Sequence, residues 1–387
     1  MSNKLRMLEQ DVAKGLGVVM IMALHILTIA WSAYKIAGGL FGFILPFFFF
    51  IAGYNYHASQ YSYWQIVKRR FKQIIVPFLI YSIVITVLAG SYFLIVQAMV
   101  SADDLPNTFI NPITHEKDIY SVSEIIRTYL RMFLTRPTAT PLGITSNGSL
   151  YSCIMMFWFI QMLFVGTLVF HAVVDRALQS VYSCVSIVVG LLGTTMVLAH
   201  FGIHLPFYLG EAPAIAAIMI MGAVFGRFNL LGLHAKKSVI VVNGIAAYGI
   251  FLMLAWLFQG SGFIMGGTLC DDTLMEWSVL LTFVFAITGS YAFVHFCRLL
   301  LKLKWFGKAC VWCGQNSLRL MMLHGIVTLF VCHIFNVPPF QTAIRASESN
   351  LHTLYVFVCV LICTVLLTLG LTRLRQKRMS KCVVAKS

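Results

Sequence analysis

The sequence predicts an all-α polytopic membrane protein with about ten transmembrane helices, both termini cytoplasmic and one long outer loop. Of its 387 residues, 59% are hydrophobic and only 11% are charged, whereas a soluble domain is about 25% charged. The apolar residues gather in runs close to the roughly 20 residues that a bilayer span needs. The positive charges cluster on one side of those runs, as they do in membrane proteins.

Each predicted span is a mostly apolar run bounded by charged or turn-forming residues. The shortest run is 212–226. The ten runs are 13–31, 39–56, 75–98, 151–173, 181–199, 212–226, 238–257, 275–296, 311–333 and 351–371.

The distribution of Lys and Arg predicts the orientation. With the N-terminus inside, 20 of the 28 Lys and Arg residues fall on the inner side and six on the outer side. Four of those six lie in the 99–150 segment, and long loops contribute little to orientation. The whole chain, 1–387, is expected to form one integral-membrane domain with a basic cytoplasmic tail at 372–387.

The 99–150 segment is the predicted outer loop. Ser121 and Glu124 have the spacing of a capping box, which predicts a helix that begins there. We expect this helix to lie on the outer membrane surface or to cover the bundle. Its predicted apolar stripe consists of Ile126, Tyr129, Leu130 and Phe133.

The first apolar run contains polar residues on one face of a helix. Lys14 and His25 are eleven residues apart, which is about three turns and roughly 16 Å, and Asp11 lies one turn before Lys14. Ionisable groups in a span usually face the protein interior or a water-filled cavity, which is compatible with a functional role. The alternative is that Lys14 extends to the lipid headgroups and His25 bonds to a neighbouring helix.

The remaining composition excludes several classes of protein. The net charge of +15 fits cytoplasmic loops better than nucleic-acid binding. The ten cysteines have no regular spacing, so we expect no disulfide framework. The sequence contains no Walker loop, HExxH or GxSxG motif, and we expect no metal site.

Five segments, in order, resemble the membrane-bound acyltransferase-3 family of glycan O-acyltransferases. The family's opening helix has a basic residue that precedes a His with ten residues between them, as Lys14 and His25 are here. The chain departs from the family pattern at Lys14, commonly Arg, at Ala52, commonly Ser, and at Met321 and Met322, where Tyr is common. The five segments are 11–25 (DVAKGLGVVMIMALH), 45–54 (LPFFFFIAGY), 69–82 (RRFKQIIVPFLIYS), 156–164 (MFWFIQMLF) and 314–324 (GQNSLRLMMLH).

The resemblance implies transfer of an acyl group, usually acetyl, from cytoplasmic acyl-CoA to an outer hydroxyl. His25 would be catalytic, and Lys14, Arg69 and Arg70 would bind the donor. The expected partners are acyl-CoA, a glycan or lipid-linked saccharide acceptor, and membrane lipids, but not nucleic acid. The expected location is the plasma or inner membrane of a bacterium.

Such a transfer needs a base for the hydroxyl proton and a hydrogen-bond donor for the oxyanion of the thioester carbonyl. A neutral His suits the first task. Asn316, Ser317 or Arg319 could perform the second, although a structural bond between helices is the stronger interpretation of Arg319. His324 either lines the same cavity or packs in the bundle.

Other interpretations stay open at this stage. Glu211 and Asp11 are candidates for the acceptor side or the cavity, but Glu211 also suits the ordinary N-terminus of a helix. The chain could instead be a transporter or exporter that uses Lys14 and His25 in a substrate or proton path. A non-catalytic membrane scaffold is the third possibility.

Overall fold

The computed structural model of the protein describes residues 8–26, 43–57, 61–109, 117–134, 158–203, 205–231, 242, 245, 246, 248, 249, 275–336 and 350–384. These residues are helical or form connections, and no strand occurs among them. The α-helices are α1 (Leu8–Ile26), α2 (Ile44–Tyr54), α3 (Tyr63–Arg70), α4 (Val76–Met99), α5 (Val122–Leu134), α6 (Trp158–Ala177), α7 (Val181–His200), α8 (Ala212–Arg227), α9 (Met275–Leu300), α10 (Lys304–Gln315), α11 (Ser317–Ile334) and α12 (Asn350–Val384).

Seven helical segments of the described chain are long and apolar enough to cross a membrane. They correspond to seven of the ten predicted spans. The predicted 13–31 span overlaps α1, the predicted 39–56 span contains the shorter α2, and most of 238–257 lies outside the described residues. The total of ten and the cytoplasmic termini therefore stay predictions. The seven segments are Tyr63–Met99, Trp158–Ala177, Val181–His200, Pro206–Arg227, Val279–Leu300, Ser317–Ile334 and Leu354–Leu374.

The bundle packs closely where glycines allow backbones to meet. On α1, a Cβ at Gly15 would clash with the Cys310 carbonyl of α10, and a Cβ at Gly314 would clash with the Asp11 carbonyl. On α2, Gly53 meets the Met219 carbonyl of α8 in the same way. Small residues are the usual means of close helix approach in membranes, where lipid removes the hydrophobic drive between helices.

Four consecutive phenylalanines make α2 apolar on every side, so it is buried in the bundle. Phe47 packs edge-on against Phe293 of α9, and Phe50 packs edge-on against Phe225 of α8. Phe49 stacks on Phe159 of α6. This central helix therefore holds α6, α8 and α9 together around it.

A five-residue π-helical segment, Phe71–Ile75, joins α3 to α4 without a break in the helix. The combined segment from Tyr63 to Met99 has 37 residues, so it is about 55 Å long at 1.5 Å per residue. Ser62 begins it with a capping box, in which its backbone N–H donates to the Gln65 side chain over 3.0 Å. A π segment of this kind often marks a functional position in a helix.

The capping box predicted for α5 is confirmed. The Ser121 N–H donates to Glu124 over 2.9 Å, and the Glu124 N–H donates to the Ser121 hydroxyl over 3.3 Å. The helix packs lengthwise on α4, through the pairs Ile125–Gly90, Tyr129–Ser82 and Phe133–Phe78.

The predicted position of α5, on the outer membrane surface or covering the bundle, stays a prediction. Of the predicted stripe, Tyr129 and Phe133 pack on α4. Ile126 and Leu130 are more than half exposed, whereas Ile125 and Met132, outside the predicted stripe, are buried. The 3.6-residue period identifies a helix, but the close approach that Gly90 permits decides which side of it is covered.

The predicted 311–333 span is two helices rather than one. The chain turns at Asn316, where α10 ends and α11 begins, so the membrane-crossing segment starts at Ser317. At the other end of the described chain, α12 continues past its apolar part to Val384. Much of the basic 372–387 tail is therefore helical.

Candidate active site

The first functional feature is a pair of histidines from α1 and α11. Nδ1 of His25 lies 3.3 Å from Nε2 of His324. The two ring planes differ by 10°, and the ring centroids are 5.5 Å apart. The rings therefore meet almost edge to edge in one plane, with the hydrogen bond close to that plane. The structure brings together two residues that are 299 positions apart in the sequence.

His324 is held firmly by its own helix. Its Nδ1 lies 2.7 Å from the Met321 carbonyl oxygen, and the Thr328 hydroxyl donates to the His324 carbonyl over 2.7 Å. The His324 side chain is only 1% exposed, whereas His25 is half-buried. One ring of the pair is thus fixed in the bundle, and the other is partly accessible.

Charged residues lie near the N-terminal end of α1, which contains Lys14. The Lys14 ammonium lies 3.8 Å from Oδ1 of Asp11, whose side chain is 2% exposed. Glu9 lies 3.8 Å from the Arg298 guanidinium of α9, and Gln10 accepts a hydrogen bond of 3.0 Å from Asn55. As predicted, Lys14, Asp11 and His25 lie on one helix, with the charges towards its N-terminus and His25 towards its other end.

A cavity of about 550 Å³ lies between α4, α11 and α12. It falls within the 300–1,000 Å³ range of small-molecule sites. Its lining residue Met322 is the sequence neighbour of Met321, whose carbonyl oxygen binds His324. The cavity is lined by Gln73, Pro77, Tyr81, Gln315, Asn316, Ser317, Leu318, Arg319, Met322 and Leu371.

Asn316 and Arg319, two of the candidate oxyanion donors, already bind other groups. The Arg319 guanidinium donates to the Thr372 hydroxyl of α12 over 2.8 Å and to the Asn316 side chain over 3.4 Å. The Asn316 amide donates to the Trp312 carbonyl over 3.0 Å. These bonds fit the structural interpretation of Arg319, while both side chains still line the cavity.

Arg69 and Arg70 end α3, next to the π segment. The Arg69 guanidinium lies 5.7 Å from the centre of the Tyr61 ring. The Tyr56 hydroxyl, near the end of α2, donates to Asp175 of α6 over 2.5 Å. The two arginines lie near the N-terminal end of the 37-residue segment, and Gln73 and Pro77 of the same segment line the cavity.

Glu211 lies apart from these groups. It precedes α8, is 2% exposed, and follows Tyr208, whose ring packs near Trp158. This is the N-terminal position predicted for it, but the residue is buried rather than open to an acceptor.

Sequence reasoning missed Gln73 and Tyr81 in the cavity wall, and the group of Glu9, Arg298 and His295. Arg298 donates to Nδ1 of His295 over 3.1 Å on the next turn of α9. A signal was present, because Arg298 and His295 are ionisable residues three positions apart near the end of an apolar run. The partner Glu9 on a distant helix had no such signal.

The histidine pair can move a proton. The ring of a neutral histidine carries one basic nitrogen, and a hydrogen bond from its other nitrogen fixes its orientation. A partly accessible base of this type suits the removal of a proton from a hydroxyl that attacks a carbonyl. The histidine pair is therefore the candidate proton-accepting group of the helical bundle.

The chain belongs to the acyltransferase-3 family: the family model described as an acyltransferase domain matches residues 8–373, nearly the whole chain. This confirms the family resemblance that the five sequence segments indicated. The protein is accordingly a multi-pass membrane acyltransferase. No curated protein and no solved structure matches the chain significantly.

Proposed function

We propose that this protein is an O-acyltransferase of the bacterial inner membrane. It moves an acyl group, usually acetyl, from cytoplasmic acyl-CoA to a hydroxyl of an extracytoplasmic glycan or lipid-linked saccharide. The observation that carries the proposal is the hydrogen bond between His25 and His324 inside an acyltransferase-3 chain. His25 is the general base, and a positioned base contributes about 10²–10⁴-fold to the rate.

The reaction balances with the groups that the site contains. The acceptor hydroxyl oxygen attacks the thioester carbonyl, and His25 takes the hydroxyl proton. The carbon–sulfur bond then breaks, the ester is formed, and the thiolate of coenzyme A receives the proton from His25. The histidine returns to its neutral form, so no further reactant is needed.

The donor occupies the cavity between α4, α11 and α12 in this proposal. Asn316, Ser317 and Arg319 supply polar groups in its wall, and Gln73 connects it to the basic end of α3. Arg69, Arg70 and Lys14 bind the anionic end of the donor. The guanidinium groups suit phosphate, which they can bind through two parallel hydrogen bonds.

The test is release of coenzyme A thiol from acetyl-CoA by the purified protein in liposomes, with and without an extract of lipid-linked saccharides. We expect His25→Ala to lower the acceptor-dependent release at least about 10²-fold. His200→Ala, at the exposed end of α7, is the matched control and should keep the wild-type rate. Wild-type release by a well-folded His25→Ala protein would refute the role of His25.

The same liposomes distinguish acyl transfer from transport. Movement of a saccharide across the bilayer with no consumption of acetyl-CoA would indicate a transporter instead. The acceptor is found by comparing the surface glycans of cells with and without the gene by mass spectrometry. The expected difference is the loss of an O-acyl substituent.

A further inference from the structure

We infer that His324 is a positioning residue that fixes which ring nitrogen of His25 acts as the base. The inference rests on the proposed function, because it concerns the proton that His25 removes. It also goes beyond that function, since it assigns a proton to each ring of the pair. The assignment follows from two hydrogen bonds in series, from His324 to the Met321 carbonyl and between His25 and His324.

The first step concerns Nδ1 of His324. The Met321 carbonyl oxygen, 2.7 Å away, can only accept a hydrogen bond. Nδ1 of His324 must therefore carry a proton and donate it. In the neutral ring the other nitrogen, Nε2, then has a lone pair and can only accept.

The second step concerns the contact between the rings. Nε2 of His324 lies 3.3 Å from Nδ1 of His25, and one hydrogen must lie between them. Because Nε2 of His324 is the acceptor, Nδ1 of His25 is the donor. The near-coplanar rings, with planes 10° apart, direct the N–H of one ring towards the lone pair of the other.

The third step identifies the basic atom. A neutral His25 that carries its proton on Nδ1 has its lone pair on Nε2. Nε2 is on the far side of the ring from His324, so it points away from the pair and is the atom that receives the acceptor's proton. When Nε2 is protonated, the bond from Nδ1 to His324 becomes charge-assisted and stronger, which stabilises the charged ring during the transfer.

The same arrangement gives His324 no contact with the substrate in this mechanism. It is 1% exposed, and its two ring nitrogens bind Met321 and His25. Its effect is therefore exerted through the tautomer and orientation of His25. Without this acceptor, the tautomer of His25 with its proton on Nε2 becomes accessible. That tautomer has no lone pair at the reacting position.

Two variants of the full-length protein test the inference. His324→Gln keeps an amide oxygen that can accept from Nδ1 of His25, whereas His324→Leu removes the acceptor at similar volume. We expect His324→Leu to lower kcat for acyl transfer about 10²-fold without raising the KM for acetyl-CoA. We expect His324→Gln to remain within about fivefold of wild type, because it restores the hydrogen bond.

A spectroscopic readout separates positioning from simple structural damage. Nitrogen-15 NMR of histidine-labelled protein in bilayers distinguishes protonated from lone-pair ring nitrogens, and His25→Ala identifies the His25 signals. We expect His25 to carry its proton on Nδ1 in wild type and in His324→Gln, and a mixture of tautomers in His324→Leu.

Two results would overturn the inference. One is a His25 proton on Nε2 in the wild-type protein, and the other is an unchanged tautomer and rate in His324→Leu. The NMR measurement distinguishes failure of this inference from failure of the proposed function. If His25→Ala kept acyl transfer, the role of His25 as base would fail, but the tautomer measured by NMR would still decide the arrangement of the pair.

Discussion

The Lys14 ammonium nitrogen lies 3.8 Å from Oδ1 of Asp11, one turn earlier on α1. The carboxylate is 2% exposed and the lysine side chain is 25% exposed. A charge that is buried to this extent is costly unless an opposite charge is near. Lys14 therefore has a structural task, the neutralisation of Asp11, in addition to the donor binding proposed for it.

The two tasks of Lys14 can be separated by mutation. We expect Lys14→Ala to raise the KM for acetyl-CoA about tenfold and to lower the free energy of unfolding by roughly 2 kcal/mol, because it removes a charge next to a buried carboxylate. Lys14→Arg should keep most of both properties. The measurements are steady-state kinetics and thermal unfolding in the same detergent.

The control for that experiment is Lys14→Ala combined with Asp11→Asn. The neutral amide no longer needs a cation, so the thermal midpoint should recover while the KM for acetyl-CoA stays high. Recovery of both would mean that Lys14 acts only through Asp11 and has no role in donor binding.

The contact between α1 and α10 predicts a strong effect of one methyl group. A Cβ at Gly15 would meet the Cys310 carbonyl and the backbone of Gly314, neither of which can move away cheaply. We expect Gly15→Ala to lower the thermal midpoint and, because α1 also carries His25, to reduce transfer. Gly193→Ala on α7, where no atom lies within 4 Å of the added Cβ, should be neutral or slightly stabilising. Equal stability of the two variants would contradict the packing described for α1.

Narrowing the cavity should affect the donor. Gln73 lies in its wall, and we expect Gln73→Trp to fill part of the space and to raise the KM for acetyl-CoA about tenfold or more. Val185→Trp, on the exposed face of α7, adds a similar side chain away from the cavity and should leave the KM unchanged. If Gln73→Trp bound acetyl-CoA normally, the donor would have to occupy another site.

The charge distribution predicts the sidedness of two cysteines. Cys270 lies beside Asp271 and Asp272 in a segment without Lys or Arg, and Cys382 lies in the basic tail. We expect a membrane-impermeant thiol reagent added to intact cells to label a variant that retains only Cys270, but not one that retains only Cys382. The reverse pattern would put Lys14 at the outer face, and the cytoplasmic-donor mechanism would be abandoned.

The sequence predicted the helical class and seven of the spans because a long apolar run is a local property of the chain. It also predicted the start of α5, since the Ser121–Glu124 capping box joins residues three positions apart. It predicted only part of the face by which α5 packs on α4: Tyr129 and Phe133 make contacts there, as does Ile125 at Gly90, which was not in the predicted stripe. Local patterns identify helices but not their neighbours.

The candidate site was likewise predicted from the sequence only in part. The sequence indicated His25 and His324 separately, as polar residues in apolar runs. Their hydrogen bond joins positions 299 apart, and no periodicity reports such a contact. The bond between Arg298 and Glu9 was missed for the same reason. The order of the motifs indicated the family, whereas the pairing of distant side chains becomes visible only in the folded structure.

The π segment at Phe71–Ile75 sets the direction in which the proposed donor-binding arginines point. A π turn amounts to one additional residue in an α-helix, and one residue turns the chain by about 100°. Arg70 lies on one side of this turn and Tyr81 on the other, about 16 Å apart at 1.5 Å per residue. The helix thus holds the arginines at a fixed distance from the cavity. A single residue sets the direction in which they point. Deleting one residue from this segment would leave Pro77 and Tyr81 in the cavity wall and point the arginines elsewhere.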